Sequence, residues 1–103
     1  MDKFIRINFY DNDFLSDAKG AMEALTYCVD LETTPVEVIK EEFISLVHLL
    51  ANINYRMGKS GYSEVKRSYF DMVTIEMLDY APKEWFNGEA LYVDLSSGEI
   101  TVL

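Results

Sequence analysis

The residues best suited to chemistry in this sequence are one histidine and one cysteine. His48 has no second metal ligand at helical spacing, because positions 44, 45, 51 and 52 hold Ile, Ser, Ala and Asn. Cys28 has no lysine or arginine close in the sequence, and we expect a buried structural thiol. A nucleophile and its base meet in space rather than along the chain, so an enzyme that uses His48 with Cys28 or a serine remains an alternative. With no catalytic constellation in the sequence, we predict that the protein is not an enzyme.

A glycine-lysine-serine run after residue 57 is similar in order to the end of a phosphate-binding loop. That loop needs a glycine five residues before its second glycine, and a strand that leads into it. Here the position holds Ile53, and the pattern before Gly58 is that of a long helix. A helix end followed by a polar turn is the better interpretation. We therefore predict no nucleotide, metal or other cofactor.

Acidic side chains outnumber basic ones by 18 to 9, which gives a formal net charge of −9. The pairs Glu37–Glu41 and Asp13–Asp17 have the spacing of a solvated helix face, not of a recognisable acid/base pair. An acidic surface repels phosphate, so we expect no direct nucleic-acid binding, and a charged partner should be basic. Rows of carboxylates can also imitate nucleic acid, although a solubilising surface is the simpler interpretation.

Two groups of residues are candidates for contact with a partner. The first joins acids after residue 70 to aromatics in the proline-containing stretch 80–87, because aromatic loop residues are frequent in binding sites as well as over small cores. The second consists of apolar residues in 63–81. If this segment is a helix, they make it apolar on nearly every side, and it would need cover from this domain or from another chain. The partner-binding group is Asp71, Glu76, Asp79, Glu84, Trp85 and Phe86, and the self-association group is Phe70, Ile75 and Leu78.

Three helices are predicted to carry these residues. The spacing of apolar residues predicts a helix over 14–30 and a longer one over 34–57, which begins with a capping box of Thr34, Pro35 and Glu37. Residues 63–81 also fit a helix, ended by Pro82, although Val73, Thr74 and Ile75 would suit a strand.

Three strands complete the predicted fold. Residues 4–10 alternate apolar and polar, and residues 90–95 and 99–103 flank Ser96, Ser97 and Gly98, a hairpin turn signal. A lone hairpin is marginally stable, so we expect the N-terminal strand to join it. The sequence thus predicts a single compact domain over 1–103 of the α+β class. In that fold a three-stranded antiparallel sheet packs on about three helices.

Size, acidity and aromatic content predict a protein that works by contact. No apolar run approaches the ~20 residues of a membrane-spanning helix, and the first ten residues lack a signal-peptide core, so we expect a cytoplasmic protein with no membrane contact. We predict a small acidic binding protein. In its sharper form it is an inhibitor, of the type carried by phages and mobile elements, that covers a basic nucleic-acid-binding surface of a larger protein. The alternative is a self-associating structural or regulatory module, such as a homodimer.

Overall fold

The chain folds as helices packed on one face of an antiparallel sheet. The computed structural model describes residues 4–8, 14–79 and 90–102, and for residue 102 the backbone only. The elements described are strand β1 (Phe4–Asn8), helix α1 (Leu15–Cys28), helix α2 (Val36–Arg56), a 3₁₀ helix (Arg67–Phe70) and strands β2 (Thr74–Leu78), β3 (Ala90–Asp94) and β4 (Ile100–Val102). The α+β class and the antiparallel sheet are confirmed. In the described ranges the sheet has four strands, in the order β2-β1-β3-β4, and there are two α-helices instead of about three.

The predicted helix at 63–81 is wrong. Its place is taken by an irregular stretch, the 3₁₀ helix and strand β2, which pairs antiparallel with β1. A helix would have left apolar side chains exposed around its circumference. The observed path instead buries Phe70, Val73 and Leu78 and places Ile75 against the core. Pairing with β1 also satisfies the backbone N–H and C=O groups of β2. The local sequence does not indicate this pairing, because β1 is distant along the chain.

The core lies between the helices and one face of the sheet. Alternate residues of the two central strands point into it, because successive side chains of a strand point to opposite faces. Ile5 and Ile7 of β1 face the same core as Leu91 and Val93 of β3, and all four are fully buried. The opposite face carries polar cross-strand pairs, including an ion pair of 2.7 Å between Arg6 Nη2 and Glu76 Oε2.

Both ends of helix α2 are defined by the conformation of the backbone rather than by side-chain caps. The expected capping box is not formed, since no side chain caps the helix and the Thr34 hydroxyl donates instead to the Asp30 carbonyl. At the other end Gly58 has a φ of 72°, and the Lys59 amide donates to the Asn54 carbonyl at 3.1 Å. This left-handed glycine is a common helix stop, which confirms the interpretation of Gly58 as a helix end. No helix in the described ranges is long and apolar enough to cross a membrane.

Candidate functional site: an acidic end of the molecule

The residues predicted to bind a partner do not form one cluster. Asp71 precedes β2 and Asp79 follows it, so the whole strand, roughly 16 Å long, lies between them. Glu76 lies in the middle of β2, where it pairs with Arg6 and raises the pKa of that guanidinium through a hydrogen bond and charge. All three acids are exposed. Glu84, Trp85 and Phe86 lie outside the described residues. Their role in binding stays a prediction.

The residues predicted to mediate self-association are part of the fold of the single chain. Phe70 and Leu78 are buried, and Ile75 is half-buried against the core. Phe70 packs edge-on against Phe14, with ring centroids 5.4 Å apart. The apolar belt that suggested a second chain is therefore largely covered by this chain itself.

The two candidates for catalysis lie in different surroundings. His48 Nε2 lies 3.0 Å from the Val65 carbonyl oxygen and 2.7 Å from Asn52 Nδ2, so it joins α2 to the segment that follows. Cys28 is exposed, which contradicts the expectation of a buried thiol, because α1 ends there, one turn beyond its last core residue, Leu25. Within the described part of the chain no group of three or more His, Cys, Asp or Glu side chains could hold a metal ion.

One carboxylate expected on a solvated helix face is buried instead. Asp17 is 6% exposed and lies in the first turn of α1. Its Oδ1 accepts a hydrogen bond of 2.7 Å from Asn54 Nδ2, and its Oδ2 accepts one of 2.9 Å from the Tyr62 hydroxyl. The carboxylate thus holds α1 to the end of α2 and to the segment after it. This is a structural contact that the spacing of acids could not reveal.

The antiparallel strands bring a different set of carboxylates together. Strands β2 and β3 both run opposite to β1, and Phe4 at the start of β1 pairs with Leu78 at the end of β2 and Asp94 at the end of β3. Asp79 therefore follows β2 at the same end of the sheet as Asp94. Glu99 is adjacent, since its carbonyl accepts a 2.9 Å hydrogen bond from the Asp94 amide.

The connection between the two helices meets the β3–β4 turn at this end. Asp30 and Glu32 of that connection line the same cavity as Asp94. Residues 28–34 and 93–99, which supply all of the cavity lining except Thr26, contain four carboxylates and no lysine or arginine. We call this region the acidic end. Its members are Asp30, Glu32, Asp94 and Glu99, and Asp79 lies at the same end of the sheet on the other side of β1.

The cavity at the acidic end has a volume of about 200 Å³ and is partly open to solvent. Val29 and Leu31 contribute apolar surface from the helix connection, and Val93 and Leu95 contribute it from β3 and its turn. Acidic residues from both segments thus line the cavity together with apolar ones.

Local hydrogen bonds hold two of these carboxylates in place. Asp94 Oδ1 accepts from the Ser96 hydroxyl at 2.7 Å and from the Ser96 amide at 2.9 Å, and these bonds lower the pKa of Asp94 below its usual 3.8. Asp30 Oδ1 accepts from the Glu32 amide at 3.0 Å. These bonds favour one orientation of each side chain, and Asp94 stays charged well below neutral pH.

Three of the described basic residues lie at different places along α2. Arg67 forms an ion pair with Glu41 beside α2. Arg56 and Lys59 lie instead at the C-terminal end of α2. Because α2 starts just after the helix connection and runs for 21 residues, roughly 30 Å separate these two bases from the acidic end.

Sequence reasoning named Asp79, which lies at the same end of the sheet, and missed all four members of the acidic end. The sequence did show that two polar turns contain acids and no bases. It did not show that these turns, which are more than 60 residues apart, meet in space. No protein-family model matches this chain, and comparisons with curated proteins and with solved structures find no match either. Function is therefore inferred from the geometry of the chain itself.

Proposed function

We propose that this protein acts by binding another protein, and that its acidic end contacts a basic surface of that partner. The observation that carries the proposal is the meeting of residues 28–34 and 93–99, which bring four carboxylates and no base to one end of the fold. A concentrated charge of one sign steers a partner of opposite charge and favours the correct orientation on encounter. A net charge of −9 adds to the same attraction.

In its sharper form, the protein is an inhibitor that covers a nucleic-acid-binding surface in the cytoplasm, of the type carried by phages and mobile elements. A groove that binds DNA or RNA is lined by lysine and arginine, which contact phosphates. Carboxylates presented on a rigid frame engage the same side chains. Binding should then weaken as salt increases and should exclude nucleic acid from the partner.

Two variants with equal net charge distinguish the contribution of the acidic end to partner binding from that of the overall negative charge. Both remove three negative charges by substitutions that preserve side-chain shape, and asparagine at positions 30 and 94 can still accept the local hydrogen bonds described above. The control positions are exposed acids away from the acidic end. The acidic-end variant is Asp30→Asn, Glu32→Gln and Asp94→Asn, and the control variant is Glu41→Gln, Glu42→Gln and Glu64→Gln.

The test is capture of partners from cell lysate at low salt, followed by competition with duplex DNA or RNA on each captured protein. We expect the acidic-end variant to lose about tenfold in affinity and to show a flatter dependence on salt, while the control variant binds as the unchanged protein does. Equal losses in both variants would contradict a role for the acidic end. A partner that binds nucleic acid and this protein at the same time would contradict the hypothesis that the protein is an inhibitor of nucleic-acid binding.

Self-association is the second candidate, and the observation that favours it is the edge position of β2. Among the described strands it lies at one edge of the sheet, and the nearby Met72 and Met77 are exposed. An edge strand offers backbone groups to a second chain. Size-exclusion chromatography with light scattering at about 50 mM and about 500 mM salt tests it. A dimer at both salts would favour self-association, whereas a monomer at both would count against it.

A further inference from the structure

We propose that strand β2 pairs edge to edge with β2 of a second copy of this chain, antiparallel and about a two-fold axis. This inference rests on the second candidate function, self-association, and assigns to it a strand, a partner and a register. It follows from the lack of protection along the edge of β2, from the exposed apolar side chains beside it and from the fit of the strand to its own copy.

The edge of β2 lacks the features that usually keep a strand from pairing with another chain. Proteins protect sheet edges with lysine or proline, with bulges or with very short strands. Residues 72–79 contain no lysine, arginine, proline or glycine, and β2 pairs residue for residue with β1 over five positions, without a bulge. At the other edge of the described sheet, β4 extends only over Ile100–Val102. Of these two edges, β2 is the one suited to pairing.

The one charged side chain of β2 is already engaged within the chain, and apolar side chains border its edge. Glu76 lies on the face of the sheet away from the helices, where its Oε2 accepts a 2.7 Å hydrogen bond from Arg6 Nη2. On the helix side Met77 is 38% exposed, although it pairs with the fully buried Ile5. Met72, just before the strand, is 72% exposed. A second chain paired at this edge would cover exposed apolar surface.

Two of the registers available to a symmetric pair bring charge into unfavourable places. In an antiparallel pair, residues directly opposite each other lie on the same face, and like charges in opposite positions are destabilising. Pairing about Glu76 would set the two copies of this glutamate opposite each other. Pairing about Met77 would set Asp79 opposite Ile75, which packs against the core.

Pairing about Ile75 avoids both arrangements. It sets Ile75 opposite its own copy and Val73 opposite Met77, so the helix side of the junction is apolar. On the other face it sets Thr74 opposite Glu76 of the second copy. The Thr74 hydroxyl accepts a 3.0 Å hydrogen bond from Asn8 and can donate to that carboxylate. This register joins the described strands of both copies into one continuous antiparallel sheet.

The dependence of this dimer on salt should be opposite to that of binding to a basic partner. Each copy carries a net charge of −9, so two copies repel each other at low salt. Added salt screens this repulsion, whereas it weakens the attraction between opposite charges. We therefore expect the dimer to become tighter between about 50 mM and about 500 mM salt.

The test is sedimentation equilibrium of the full chain over a range of micromolar concentrations, with two variants that change charge equally. Met77→Lys places a charge at the edge of β2, and Met57→Lys makes the same change at the C-terminal end of α2, where the side chain is 69% exposed. We expect Met77→Lys to weaken the dimer about tenfold or more and Met57→Lys to leave it unchanged. Circular dichroism checks that both variants are folded. Should Met77→Lys be unfolded, Met72→Lys takes its place and should also weaken the dimer.

NMR tests the register directly. In a mixture of isotope-labelled and unlabelled chains, we expect filtered nuclear Overhauser effects from the Thr74 methyl group of one copy to Glu76 of the other. The amides of residues 73–77 that point away from β1 should also exchange with solvent more slowly as the concentration of dimer increases.

Four results would overturn the inference. They are a monomer at every concentration and both salts, equal weakening of the dimer by both lysine variants, contacts that report a different register, and protection of the β2 amides only when another protein is added. The last would assign the edge to a strand of that protein.

The outcomes for the proposed functions are read separately. A dimer that Met77→Lys leaves intact would contradict pairing through β2, while self-association would stand through another surface. If the dimer forms through β2 and no basic partner is captured, this inference stands and the proposal of a basic partner fails.

Discussion

Replacing Asp17 by alanine should destabilise the protein far more than replacing any exposed acid. The Asp17 carboxylate is 6% exposed and accepts hydrogen bonds from Asn54 at 2.7 Å and from the Tyr62 hydroxyl at 2.9 Å. These donors lie 37 and 45 residues further along the chain. The carboxylate therefore connects three segments whose relative positions define one end of the core.

The expected loss of stability follows from three contributions. Each hydrogen bond to a charged group contributes about 1.5–3 kcal/mol to the free energy of unfolding. A carboxylate in the first turn of a helix adds about 0.3–1 kcal/mol by its interaction with the helix dipole. Asn54 and Tyr62 are half-buried, so water reaches part of the groups that Asp17→Ala releases, and the lower values apply. We expect a loss of about 3 kcal/mol for Asp17→Ala and about 1.5 kcal/mol for Tyr62→Phe, which keeps the ring and its edge contact with Phe14.

Urea unfolding followed by circular dichroism measures this loss. With a slope of about 1–3 kcal/mol per molar urea, a loss of about 3 kcal/mol shifts the midpoint by roughly 1–3 M. The double variant completes a thermodynamic cycle, in which we expect Asp17 and Tyr62 to be coupled by about 1 kcal/mol or more. Glu23→Gln, on the exposed side of the same helix, is the matched control and should change stability by less than about 0.5 kcal/mol.

Two results would refute the reasoning. The first is an Asp17→Ala variant as stable as Glu23→Gln. The second is a coupling energy near zero between Asp17 and Tyr62, which would mean that their hydrogen bond does not contribute to stability.

Three further predictions concern a carboxylate, a helix end and the core. Ser96→Ala removes the hydrogen bond that contributes most to lowering the pKa of Asp94. The pKa of Asp94, measured by NMR titration, should therefore move up toward 3.8. An unchanged pKa would be contrary to this assignment. Because the folded state favours ionised Asp94, its contribution to stability is present above the unfolded pKa and is lost as pH falls through the folded value. Gly58→Ala should lower stability by about 1 kcal/mol, since φ is 72° and no atom lies within 4 Å of an added Cβ; no change in the midpoint of thermal unfolding would argue against the left-handed helix stop. Phe43→Ala, at a fully buried position, should cost about 3–5 kcal/mol in thermal unfolding, against less than about 1 kcal/mol for Val38→Ala on the exposed side of α2; similar losses in both would be inconsistent with this core.

Elements whose signal is local were predictable from the sequence. Helix α2 was predicted over 34–57 and is observed over Val36–Arg56, because apolar residues at helical spacing specify one face whatever packs on it. The β3–β4 hairpin was predicted from its turn, where Gly98 supplies a φ of 76°. The expectation that the N-terminal strand joins this hairpin is confirmed by the pairing of β1 with β3.

Elements whose state depends on a distant partner were not predictable. Residues 63–81 have apolar side chains at both helical and strand spacing, and the outcome depended on whether β1 had an edge available to pair with. Ile75 pairs with Ile7, 68 residues earlier, and a local pattern contains no information about such a contact. For the same reason the burial of Asp17 was not predictable, since it depends on contacts with Asn54 and Tyr62, which are distant along the chain.

The amino-acid sequence by itself determined the class of the fold, its two long helices, its hairpin and its net charge of −9. Only the tertiary structure decided which charges lie together. Asp30 and Asp94 are 64 positions apart, and they line one cavity because β3 runs opposite to β1 and ends beside the connection between α1 and α2. Composition sums charges over the whole chain, whereas the field that a partner encounters depends on their distances, and those distances are set by strand pairing and helix packing.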